Sequence, residues 1–166
     1  MILSVSIRDG QEGPEGHGTY TWTPGATEPV HLVGGWLARD VARGTRVLAD
    51  AQAGHCLYAV LDTSRPGPPV VQGCSPAALS PDGRYLVTGL TVTDLDGGAG
   101  PTTLGPAIPA GPAGTPPRQA AVDALVVGQA RWIRDRTFET RLDLTPDRRV
   151  GLRCNVPRGP CWQLDG

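Results

Sequence analysis

Four cysteines, at positions 56, 74, 154 and 161 of 166, are the side chains whose type and spacing speak most directly of chemistry. Structural zinc sites draw on tight C-x2-4-C pairs, and separations of 18 and 7 residues favour disulfides in an oxidising compartment instead. In CNVPRGPC, the Pro157-Arg158-Gly159 turn folds the chain back and sets Cys154 opposite, or nearly opposite, Cys161 on neighbouring antiparallel strands. Facing positions in a non-hydrogen-bonded pair come within about 4.5 to 5.5 Å, which disulfide geometry accepts. The expected bridges are Cys154 to Cys161 and Cys56 to Cys74, the longer contributing roughly 3 kcal/mol by loop closure. The rival reading is buried free thiols in a cytosolic core.

Catalytic constellations are scarce. No GxSxG, HExxH, Walker A or GxGxxG pattern is present. His17 falls in a Gly-rich turn, His31 in an outer strand and His55 beside Cys56, all read as exposed or satisfied strand residues. Asp40, Asp82 and Asp135 recur one per unit, where an Asp side chain hydrogen-bonds turn backbone, and Asp82 is followed by Gly83. A structural turn role is expected for these four, rather than general acid or base work. Asp94 and Asp96 in TDLDGG lack the full ligand series of a calcium loop. No catalytic residue, metal ligand or cofactor is assigned. Trp36 and Trp132 recur at corresponding places and are expected in the core between repeats. Without clustered aromatic and Arg residues, nucleic acid is not an expected partner.

The elements that must position these residues are short. Glycine and proline, at 23 and 17, make up 24% of the chain, hydrophobic residues 39% and charged residues 19%, a balance too apolar for a disordered chain. Every one of the 15 basic residues is Arg, and 16 acidic residues bring the formal charge to −1, so no global field draws polyanions. No apolar run approaches the roughly 20 residues of a membrane-spanning helix. MILSVSI is too short for a signal peptide, so the chain is either cytosolic or a piece lacking its export segment.

Alternating or apolar segments bounded by turns predict strands at 2–7, 19–22, 29–33, 45–49, 55–61, 68–72, 84–92, 123–127, 137–144, 149–156 and 161–164. The best helical candidate, Trp36 to Ala49, is interrupted by Gly44, and the chain reads as all-β. Trp36 to Ala78 spans 42 positions, within the about 40 to 45 of a four-stranded propeller blade. Ala78 to Trp132 spans 54, and the excess falls in the Gly/Pro-rich stretch 97–119, read as an inserted loop. Four units follow, 1–33, 34–74, 75–127 and 128–166, in a single β-propeller-like domain over 1–166, complete with about four blades or partial. The first lacks its innermost strand.

These residues resemble bacterial WD40-like or TolB-like β-propellers, particularly those of actinobacterial extracytoplasmic proteins. SPDGRYLV at 80–87 looks like the turn joining a blade's innermost strand to the next, and GLRCNVPRGPCWQL at 151–164 looks like an outer-strand hairpin with paired cysteines. The resemblance implies an extracytoplasmic or secreted location. The expected function is a non-catalytic binding or scaffold module presenting loops to a protein partner. A partial ring would expose sheet edges, so a homo-oligomer or further blades would close it. The alternatives are a propeller hydrolase or lyase with its site at the central funnel, and an immunoglobulin-like sandwich with a Pro-rich tail.

Overall fold

Val, Thr, Leu and Tyr set at alternate positions between turn residues leave the backbone nothing to do but extend and pair. The computed structural model describes residues 3–4, 18–22, 25–28, 30–34, 36–51, 57–65, 67–105, 129–145 and 148–164. Among them there is no helix, and hence none long and apolar enough to cross a membrane. The chain divides into two compact units, Met1–Ser75 and Pro76–Gly166, where the sequence reading has one domain.

The first unit holds two antiparallel sheets. One has three described strands, β1 (Leu3–Ser4), β2 (Gly18–Trp22) and β3 (Val30–Gly34), paired in chain order. The second sheet is the four-stranded meander β4 (Trp36–Val41), β5 (Arg46–Ala51), β6 (Leu57–Asp62) and β7 (Val71–Cys74). The stretch from Trp36 to Ala49, the best helical candidate, thus forms a hairpin. Gly44 and Thr45 lie in its turn, and the Ala42 N–H donates to the Arg46 carbonyl at 3.1 Å. Val47, Leu48 and Ala49 are buried in succession, as are Tyr58 to Leu61, so both faces of this sheet's middle strands are covered.

Two further four-stranded meanders make the second unit. The third sheet is β8 (Ala77–Leu79), β9 (Tyr85–Thr88), β10 (Thr91–Asp94) and β11 (Thr102–Thr103). The fourth is β12 (Arg131–Arg134), β13 (Thr137–Thr145), β14 (Arg148–Asn155) and β15 (Cys161–Gln163). The predicted single strand 84–92 is two strands, because Gly89, at φ 61°, turns the chain between Thr88 and Thr91. The 97–119 stretch is not wholly an insertion either. Its Thr102 and Thr103 pair with Val92 and Thr91, and Leu104 is buried, its N–H donating to the Leu90 carbonyl at 2.9 Å. Residues 106–119 and the predicted strand 123–127 lie outside the described residues.

These two sheets share one core. Tyr85, Val87, Leu90, Val92 and Leu104 from the third pack with Phe138, Leu142, Val150, Leu152 and the Cys154–Cys161 disulfide of the fourth. The first strands of the two, β8 and β12, approach each other. No closed sheet occurs among the described residues.

Candidate functional site

In a four-stranded meander, the turn between the first two strands and the turn between the last two fall at the same end. That end recurs in the three four-stranded sheets with one construction. The residue after the third strand donates its N–H to the carbonyl of the residue before the second. The pairs are Thr63 to Thr45 at 2.7 Å, Leu95 to Arg84 at 2.8 Å and Val156 to Arg136 at 3.0 Å. The last residue of each third strand is an Asx residue in register with the first residue of the second strand: Asp62 with Arg46, Asp94 with Tyr85, Asn155 with Thr137.

In the second and third sheets the Asx side chain ties down its own loop end, as short carboxylates do two residues ahead of turn backbone, and in the fourth it reaches across to the second strand. Asp62 Oδ1 accepts from the Ser64 N–H at 2.9 Å and hydroxyl at 2.6 Å. Asp94 Oδ1 accepts from the Asp96 and Gly97 N–H groups, both at 3.1 Å, while Arg84 Nη2 donates to Oδ2 at 2.9 Å. Asn155 Oδ1 accepts from the Thr137 hydroxyl at 3.0 Å, and its carbonyl from the Gly159 N–H at 2.8 Å. The Ser64 hydroxyl holds the Asp62 carboxyl below the usual carboxylate range, and the Arg84 guanidinium does the same for Asp94. Carboxylates kept ionised by donors already in place are poor proton acceptors, so their chemistry here is loop anchoring.

Of the turn residues singled out from sequence, Asp82 and Gly83 form a tight unit. The Ser80 hydroxyl donates to Asp82 Oδ1 at 2.5 Å, which also accepts the Arg84 N–H at 3.0 Å, and Gly83 adopts φ 79°. Ser80 is fully buried and its Oγ accepts the Tyr85 N–H at 2.8 Å, a hub the sequence reading left unassigned. Asp135 lies in the two-residue turn between β12 and β13. Asp40 is a correction: it sits within β4, opposite Leu48 where the register shifts, with Arg39 Nε 3.6 Å from its carboxylate. The Asp recurs at the turn in only two of the three sheets, because β4 stays paired past Asp40, Val41 lying opposite Val47.

Cys154 and Cys161 face each other in register, Cα atoms 4.0 Å apart, and are bonded. Cys74 ends β7, no described cysteine is a free thiol, and Cys56 lies outside the described residues. Trp36 packs on Ala49, Ala59 and Leu61, and Trp132 lies against the shared core with its ring 5.4 Å from that of Phe138. His31 is in β3, in register with Tyr20, while His17 and His55 lie outside the described residues. Among the described residues, no three His, Cys, Asp or Glu side chains are grouped to hold a metal ion.

The Asx positions escaped the sequence reading for a geometric reason. The second strand's first residue precedes its partner by 16, 9 and 18 positions in the three sheets, so no fixed period marks them. A usable signal exists in the Asp or Asn that closes an alternating segment just ahead of a Ser-, Gly- or Pro-containing turn. Compared with protein-family models, curated proteins and solved structures, the chain has no significant match in any of the three.

Proposed function

We propose that the chain is a non-catalytic binding module of propeller-type blades, which presents the turn-bearing ends of its sheets to a protein partner outside the cytoplasm. The observation that carries this is the repeated tie across three sheets: one backbone hydrogen bond and one Asx side chain hold each pair of loops in place. Loops fixed before contact lose less freedom on binding, which is how a rigid scaffold favours recognition. Apolar side chains stand ready beside them. Val41 ends β4 at its turn, Val70 precedes β7 and Ile133 is next to last in β12, each at least 44% exposed. The blade reading is supported by the sequential strand order of each meander and by the approach of first strands β8 and β12. The buried Cys154–Cys161 disulfide suits an oxidising compartment.

Photo-crosslinking residues placed at Gly98 and at Arg158, both at turn-bearing ends, test the reading in extracts and culture medium of the source organism. Discrete adducts from both positions, absent from a probe at exposed Gln72 within β7, are expected. Adducts from no position, or equally from all three, would overturn it.

A further inference from the structure

The fourth sheet has a second face that its core does not use. Along β13 and β14 burial alternates: Phe138, Thr140, Leu142, Val150, Leu152 and Cys154 point inward, and the residues between them point out. One outward row crosses all four strands in register, Arg131, Glu139, Arg153 and Trp162. Arg141 stands opposite Gly151 on the next row, and Asp143 opposite Arg149 on the one beyond. Both carboxylates are engaged. Arg153 Nη2 lies 2.5 Å from Glu139 Oε1, and Arg149 Nε 3.4 Å from Asp143 Oδ1. Arg131 and Arg141 are exposed and have no ion pair among the described residues.

We infer that this face docks an acidic polypeptide segment. Arg131 opposes Glu139 and Arg141 lies two residues further along β13, a diagonal pair about 7 to 8 Å apart, from which two guanidinium groups can converge on one incoming carboxylate. Exposed Trp162, at 37%, closes the row with an apolar platform. Another apolar sheet is the wrong occupant, since it would strip water from two arginines and give them no partner. The local surplus contrasts with the rest of the chain. Residues 128–166 carry eight arginines against five carboxylates, whereas residues 1–127 carry seven against eleven. With a formal charge of −1 over the chain, no long-range field favours a polynucleotide, whereas a short acidic segment reads only the local surplus. The surface is separate from the turn-bearing ends, so either reading can fail alone.

Fluorescence anisotropy on the full chain with a labelled peptide of alternating Glu and Val tests this, against a Lys-and-Val peptide and oligothymidylate. The acidic peptide alone is expected to bind, more weakly as salt rises from about 0.05 to about 0.2 M. Arg131→Glu with Arg141→Glu should weaken it at least about tenfold. Glu139→Gln, which releases Arg153, should strengthen it. Arg131→Gln with Arg141→Gln provides the milder test should the reversed pair fail to fold. Unchanged binding in the Gln pair would overturn the inference. So would tighter binding of oligothymidylate, or self-association of the chain that displaces the peptide.

Discussion

The third and fourth sheets share a core and have the same meander order, yet their strands are written differently. In the third, Ala77, Ala78 and Leu79 of β8 and Tyr85, Leu86 and Val87 of β9 are buried in unbroken succession, so both faces are covered. In the fourth, the described side chains of β13 and β14 alternate between a core face and a face of arginines and carboxylates. A run of consecutive apolar residues thus marks an interior sheet, and alternation marks one that meets solvent on one side. The covering of each face, more than strand order, separates the two.

The comparison can be broken most decisively at the core. Phe138→Ala, in the fourth sheet, should cost about 3 to 5 kcal/mol, and Leu86→Ala, in the third, about 2 to 5 kcal/mol, by urea unfolding. Arg141→Ala, on the open face, should stay within about 0.5 kcal/mol. A large loss at Arg141 would mean that its face is covered. Next comes the disulfide: Cys154→Ala with Cys161→Ala removes a link across a separation of 7 residues, worth about 2.5 kcal/mol by loop closure. Gly83→Ala, forced to a φ of 79°, should cost roughly 1 to 2 kcal/mol, whereas Gly98→Ala, which meets nothing within 4 Å, should be near neutral.

A smaller effect fades in acid. The folded-state pKa of Asp94 is depressed, chiefly by Arg84, so its contribution is present above the unfolded carboxylate value and fades as pH falls through the folded one. Asp94→Asn should therefore lower stability by a constant amount above about pH 4, and its difference from the parent chain should shrink as pH falls further, as thermal unfolding across pH would register. Least of all, Glu139→Gln should shift stability by under about 1 kcal/mol, as exposed ion pairs do.

Much of this was legible in the residues. The all-β character follows from short alternating segments, the Ser80-to-Gly83 turn from its Asp-Gly chemistry, and the Cys154–Cys161 bridge from a hairpin that can fold only one way. What stayed hidden was polar, short or remote. β4 carries Arg39 and Asp40 mid-strand, which read as a turn until Arg39 Nη1 is seen 2.9 Å from Asp50 Oδ1 on the neighbouring strand. β8 and β11, at three and two residues, are too brief to show a period. Asp62, Asp94 and Asn155 form a set only through register, because hairpins of unequal length set them at unequal spacings.

By itself, then, the sequence determined the local chemistry: which residues extend, where the chain turns, and which cysteines meet across one tight hairpin. All of these act over a few residues, where sterics and short loops leave little choice. Only the tertiary structure decided which sheet is covered on both faces, which keeps one open, and that three loop ends share one tie. Those outcomes depend on pairing between strands whose separation along the chain carries no period.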